Sequence, residues 1–253
     1  MLDLNPALWL DGSDASTLYD ATSGGSLVAA NGAIARWQDK SASAAHVTQS
    51  TAGSRPARKT SVQNGLDAVL FDGGDVLRNT VSAVLPGGPK TIVAMLKSAN
   101  GVGGTVFNSL CATDGTARYV ARLLRIGLNY IAGDTVSTNA TTSYDFSTAF
   151  QSAFLVSFTL NASRNSGFWT HGTSQTTSGT IGTDNTITGF QVGSLNDGSG
   201  TQSQFWNGHI MEIAAFASEL STLNRQKAEG ILAHKWGTTA SLDGSHPYKL
   251  VAP

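Results

Sequence analysis

The sequence is poor in cysteine, glutamate, proline and charge, and each shortage removes a class of protein. With a single cysteine, Cys111, no intramolecular disulfide can form, and one thiol makes neither a zinc site nor a C-x-x-C redox pair. The residue reads as a small apolar packing side chain. Covalent staples are not required either, because a chain of this size buries about three quarters of its unfolded surface on folding. Only 13% of residues are charged, roughly half the usual share, and the formal net charge is −1. No block of Lys and Arg occurs, so no phosphate-tracking surface and no nucleic-acid partner are expected. No apolar run reaches the roughly 18 residues that span a bilayer, so membrane insertion is not expected. The opening MLDLNPALWLDGSD carries acids where a secretory signal has its basic region, and no signal peptide is expected in this chain.

Ser, Thr, Asn and Gly take the place of the missing charge, a composition suited to strands and tight turns. Asp-Gly begins at Asp11, Asp72, Asp114, Asp197 and Asp243, and Asn-Gly at Asn31, Asn64, Asn100 and Asn207. These dipeptides tolerate the positive φ of hairpin turns. Between them lie short runs of β-branched and aromatic residues, strongest at 91–97 (TIVAMLK) and 153–160 (AFLVSFTL). In the second, Phe154, Val156, Phe158 and Leu160 share one face, and the other face reads as mostly polar. About ten such strands without alternating helices predict an all-β fold, a sandwich or barrel. One helix is predicted over 222–236. Ser221 serves as its N-cap and Gly237 as its left-handed C-cap, with a stripe near the 3.6 period at Leu223, Lys227, Ala228, Ile231, Leu232 and Trp236. A tail, 238–253, follows. No repeat and no Pro-rich or charged linker divides the chain, so residues 1–253 are expected to form a single domain.

A series of motifs then resembles one known group. LWLDGSD at 8–14 looks like an opening strand and turn, and IARWQDKS at 34–41, with His46, is similar to a W-x-D-K-S-G-x-x-x-H stretch. Arg55-Pro56 and AVLFDGGDVL at 68–77 resemble an R-P…V-x-F-D-G-x-D-x-L strand and turn. FWNGHIMEI at 205–213, the Lys235-Trp236-Gly237 helix ending and SHPYK at 245–249 complete the order. Together they resemble the laminin-G-like, concanavalin A-like lectin/glucanase superfamily, in the branch found on bacterial and phage surface proteins. The resemblance implies a two-sheet antiparallel jelly-roll sandwich with one C-terminal helix at its edge. It carries no ligand loops over 110–200, which match only in pattern.

Some members of that superfamily hydrolyse glucans with two strand-borne carboxylates, and a retaining pair must sit about 5–5.5 Å apart. Here the only glutamates are Glu212, Glu219 and Glu229, and only Glu212 falls in a strand. Strict alternation gives it Gly208, Ile210, Ala214 and Phe216 as same-face neighbours, none of them acidic. Glu212 reads as an anchor between strand and helix. No G-x-S-x-G elbow appears, and His46, His171, His209, His234 and His246 lack metal-site spacing. No enzyme is expected.

Binding features remain. Trp169 and His171 precede a Ser/Thr/Gly-rich run, 172–186, and an exposed indole beside polar donors would stack on a sugar ring. Trp206 and Asn207 form a similar pair. Asp72 and Asp75, joined in space by Asp11, Asp14 or Asp39, could offer oxygens to calcium, or could simply cap their own turn. The uncharged runs 135–148 and 174–188 suit either a glycan or protein neighbours. The expectation is a lectin-like, non-catalytic carbohydrate-binding module with a glycan or polysaccharide partner, on a virion or at the cell surface. A structural virion protein, such as a capsid decoration or tail-fibre subunit in an oligomeric assembly, is the alternative, and a glycan hydrolase is the second.

Overall fold

Apolar residues at alternate positions along short strands require a second layer to cover them, and two antiparallel sheets supply it. The computed structural model describes residues 1–80, 84–85, 88–99, 105–111, 122–127, 130–134, 139–143, 152–176, 187–196 and 202–253. Parts of the polar runs 135–148 and 174–188, and the side chain of Cys111, lie outside the described residues. An eight-stranded sheet runs in the order Thr173–Gln175, Ser166–Thr170, Phe154–Leu160, Lys90–Ser98, Asn207–Phe216, Leu66–Asp72 and Ala57–Gln63, with Leu8–Asp11 also paired to Asn207–Phe216. A nine-stranded sheet runs Asn139–Ser143, Tyr130–Asp134, Arg122–Gly127, Thr105–Cys111, Ile187–Val192, Leu77–Asn79, Val47–Thr48, Arg36–Trp37 and Leu18–Tyr19. Between the sheets lie Leu10, Trp37, Phe71, Leu77, Ile92, Val156, Phe158, Phe190, Trp206 and Ile213, all essentially inaccessible to solvent. The fold is an antiparallel jelly-roll β-sandwich with one C-terminal α-helix, as the sequence pattern predicts.

The helix spans Thr222–Lys235, and the Ser221 hydroxyl accepts a hydrogen bond from the Asn224 N–H at 3.3 Å. At the other end Gly237 takes φ 69°, and the Thr238 N–H closes back on the Ala233 carbonyl at 2.8 Å. The Asn64-Gly65 hairpin turn reaches across to the same end. There the Asn64 amide donates to the Lys235 carbonyl and Gln63 to the Trp236 carbonyl.

Two sequence expectations change here. The helix lies on the outer face of the eight-stranded sheet, where Ala68, Val93, Met95, Leu155, Met211 and Ala214 pack against Ala228, Leu232, Ala233 and Trp236. Phe154–Leu160 is therefore buried on both faces rather than half-solvated. The helix also buries Arg225 and Glu229 while Leu223 stays 60% exposed. Burial of those charges is possible because they pair with each other, and Glu229 also accepts from the Ser157 hydroxyl at 2.7 Å and faces the His246 ring at 3.2 Å.

Glu212 is placed by a break in alternation. The ladder between Asn207–Phe216 and Lys90–Ser98 slips between Ile210 and Glu212, so Met211 joins Glu212 on the helix-covered face while Ile210 stays in the core. The carboxylate, 1% exposed, accepts from the Trp9 indole at 2.7 Å, the Trp236 indole at 3.0 Å and Lys235 at 2.6 Å. Lys235 also pairs with Asp11 at 2.6 Å, and Lys40 joins Asp11 to Asp14. Burial, and then the charge of Asp11, push Glu212 above the usual carboxylate range against the pull of Lys235. Asp11 is itself half of a compensated pair: burial opposes its ionisation, but Lys235 and Lys40 hold it below the usual range. Glu212→Ala strands Lys235 and two indole N–H groups. It should cost about 3–5 kcal/mol in urea unfolding, with an unchanged denaturant slope.

Candidate functional site

The helix covers the outer face of one sheet, so the outer face of the other is the one to search. Core residues on its described short strands alternate with outward ones: Leu18 with Tyr19, Trp37 with Arg36, Val47 with Thr48, Leu77 with Arg78, and Phe190 and Val192 with Gln191. Pairing sets these outward residues side by side, as Tyr19 opposes Arg36, Arg36 opposes Thr48, Thr48 opposes Arg78 and Arg78 opposes Gln191. A single polar row thus crosses five strands. Over its middle opens a cleft of about 600 Å³ lined by Thr22, His46, Thr48, Gln49, Ser50, Arg78, Asn79 and Thr80.

The W-x-D-K-S stretch builds one wall. Buried Asp39 accepts from the N–H groups of Trp9 (2.8 Å), Ser41 (2.8 Å) and Ala45 (2.9 Å) and from the Ser41 hydroxyl (2.7 Å). Its own N–H donates to His46 Nδ1 at 3.1 Å, which leaves the imidazole proton on Nε2 as a donor. The two lining strands are then bolted together. The Asn79 amide donates to the His46 carbonyl at 2.9 Å, Thr48 Oγ1 to the Arg78 carbonyl at 3.5 Å, and Gln49 to the Val76 carbonyl at 3.0 Å. Behind them Arg55 donates to the carbonyls of Gln49 and Ser50, both at 2.9 Å, and of Asp20 at 3.4 Å. Arg36 stacks on the Tyr19 ring at 4.2 Å and donates to the Gly24 carbonyl at 2.9 Å. The Arg78 guanidinium has no hydrogen-bonding, ionic or ring partner among the described residues. Among the described residues the wall therefore presents hydroxyls, an imidazole N–H and a guanidinium without a partner, and none of them is acidic.

The residues singled out from the sequence lie elsewhere and do not converge. Trp206, just before the strand Asn207–Phe216, is fully buried between the sheets, and a sugar cannot reach it. Trp169 is half-buried beneath Arg225, whose guanidinium lies 4.0 Å from its ring centre, so the stacking surface is already taken. His171 sits at φ 50° in the hairpin turn before Thr173. Its backbone joins the Leu155 carbonyl and the Asp243 N–H, and burial pushes its ring below the usual histidine value.

Asn207 and Asp72 are opposite each other in the ladder, and the Asn207 amide lies beside Gly73. Asp75 accepts from the Asp72 N–H at 2.8 Å, and Asp72 caps the Gly74 N–H at 2.9 Å. This is the turn-capping alternative. Two carboxylates, each holding a backbone N–H, fall short of the six to eight oxygens calcium takes. Asp11, Asp14 and Asp39 are engaged in the contacts above, and no metal-suited group of three or more His, Cys, Asp or Glu occurs among the described residues. Sequence reasoning passed over Arg78 and Thr48 because each stands alone on a strand of two or three residues. The one available signal was His46 at the end of its motif.

The sequence matches no family model and none of the curated proteins. Solved structures do resemble the chain. NanB in complex with Optactamide aligns over 62% of this chain and 26% of its own, with TM-score 0.51 and 14% identity. The sialyllactose-bound CBM40 of a Ruminococcus gnavus IT-sialidase aligns over 62% of this chain and 93% of its own, with TM-score 0.42 and 11% identity. Domain 4 of AbnA, a GH43 extracellular arabinanase from Geobacillus stearothermophilus, in complex with arabinotriose, aligns over 66% and 78%, with TM-score 0.43 and 14% identity. The likeness is one of fold. The chain spans about a quarter of the NanB chain.

Burial, with the charge of Asp72 adding, raises Asp75 from 3.8 to about 6, against the Asp72 N–H that favours its ionised form. A folded value above the unfolded one means the native state takes up a proton in this window. That contribution to stability is present below about pH 4 and lost as pH rises through about 6. Asp75→Asn keeps the acceptor for Asp72 and removes the buried charge. Its melting temperature should exceed that of the parent at pH 7 and converge with it near pH 4. Calcium and chelator should leave the parent's melting temperature unchanged; a calcium-dependent rise lost in Asp75→Asn would make the pair a metal site.

Proposed function

We propose that the chain is a non-catalytic, lectin-like module that binds a glycan in the cleft over Thr48 and Arg78. The observation that carries this reading is the cleft itself: about 600 Å³ of open space on the outer face of the nine-stranded sheet, walled by hydroxyls, an imidazole N–H and a guanidinium. That volume lies within the range of small-ligand sites, and its dense polar lining suits a hydroxyl-rich ligand better than an apolar one. Recognition here runs through hydrogen bonds. The nearby aromatic in the polar row, Tyr19, already carries Arg36 on its ring.

Hydrolysis is not part of the proposal. Glu212 is committed to two indoles and a lysine, Glu229 to Arg225 and Ser157, and Glu219 lies exposed just before the helix. Among the described residues the cleft wall holds no carboxylate, whereas glycosidic cleavage needs two. The motif series from residue 8 to 249 supports a finer reading: a laminin-G-like domain of the bacterial and phage surface type, displayed on a virion or cell surface as one binding unit.

A glycan array followed by titration calorimetry tests the core of the proposal. Saturable binding to at least one glycan class is expected, abolished by Thr48→Trp, which fills the cleft, and retained by Trp169→Phe, whose ring lies under Arg225. An empty array, or full binding by Thr48→Trp, would overturn it.

A further inference from the structure

We infer that the cleft recognises an oxyanion on its glycan, a carboxylate or a sulfate, and that Arg78 is the residue that selects it. The inference rests on the glycan-binding reading of the cleft and adds the chemical class of its ligand. Among the described residues, five other lysines and arginines have carboxylate partners: Lys40 with Asp11 and Asp14, Arg58 with Asp67, Arg225 with Glu229, Lys227 with Asp3, and Lys235 with Asp11 and Glu212. The three arginines around the cleft do not. Arg36 is held by a ring and a carbonyl, Arg55 by three carbonyls, and Arg78 by no partner among the described residues. Carbonyls accept from Arg36 and Arg55 without cancelling their charge. The acidic side chain on the adjoining loop, Asp20, is turned to the Ser26 N–H at 2.8 Å.

The result is a net positive field, three arginine charges against the one carboxylate of Asp20, over a cleft whose described lining contains no acid. A low-dielectric wall focuses such a field on whatever enters. Arg78 brings a planar fork of N–H donors that matches a carboxylate or sulfate edge with two parallel hydrogen bonds. His46 is held with its Nε2 proton available, so it donates beside that fork without needing to be charged. Neutral sugars would be bound by the hydroxyl and amide lining, and the anionic group would add the Arg78 contact.

The test is an array of matched glycans printed as neutral, carboxylated and sulfated members, read with the parent, Arg78→Gln and Thr48→Trp. The parent should prefer at least one anionic member over its neutral counterpart by about tenfold or more, the worth of one charge-assisted hydrogen bond or better. Arg78→Gln should erase that preference, so that the anionic member binds no better than its neutral counterpart, and raising the salt concentration should weaken the anionic binding more than the neutral. The carboxylated and sulfated arms separate the two sources of charge. Equal binding of neutral and anionic members, or a preference that survives Arg78→Gln, would overturn this inference and leave the glycan site standing. Loss of all glycan binding in the parent, or full binding by Thr48→Trp, would instead remove the underlying reading. Because Arg78 holds no partner among the described residues, the folded state of Arg78→Gln should match the parent by melting temperature.

Discussion

The buried carboxylate of Glu212 is the contact on which the rest of the sandwich depends. It joins three distant stretches of chain: Trp9 from the first strand, Glu212 itself from the longest one, and Lys235 with Trp236 from the end of the helix. A carboxylate taken out of water is costly unless its lone pairs are filled and its charge is opposed. Two indole N–H groups and one ammonium meet both conditions, and the same ammonium reaches Asp11, which draws in Lys40 and the opening turn. An apolar contact of similar area would hold the helix against the sheet. It would not specify which turn of the helix meets which strand. The polar cluster does, because Lys235 and Trp236 converge on Glu212 in only one register.

Much of this framework was legible in the sequence, because it is written in local terms. Ser221 and Gly237 bracket the helix by capping chemistry that needs no knowledge of the rest of the chain. The β-branched and aromatic runs at 91–97 and 153–160 marked two adjacent inner strands of the eight-stranded sheet. Glu212 was readable as an anchor between strand and helix, and its partners are two tryptophans and a lysine. What local patterns missed was of two kinds. The slip between Ile210 and Glu212 shifts every later side chain by one place, and no residue type announces such a bulge. The buried pair Arg225 and Glu229 interrupts the expected apolar row, because two charges four residues apart can be hidden together when each alone could not.

The cleft was harder to see for a different reason. Its wall comes from Val47–Thr48 and Leu77–Asn79, strands too short to show a period, and from the loop carrying Thr22. Their outward residues become neighbours only once the register is known. The tryptophans drew attention instead, since exposed indoles are common sugar platforms. Burial decides otherwise for Trp206, and the Arg225 guanidinium occupies the ring of Trp169. An aromatic residue in a strand carries no record of which face will be covered by a later helix.

The framework and the cleft are not independent. Asp39 gathers the N–H of Trp9 and, through its own N–H, fixes the ring of His46; Trp9 in turn donates to Glu212. A chain of direct hydrogen bonds therefore runs from the helix anchor, through the first strand, to the wall of the cleft. Coupling of this kind costs little when the site needs no movement to bind, and it removes ordering entropy that a ligand would otherwise have to supply. It also fits the lack of a partner for Arg78 among the described residues. The strands beside it are held by backbone carbonyls accepting from Asn79, Thr48 and Gln49, so that framework does not draw on its guanidinium.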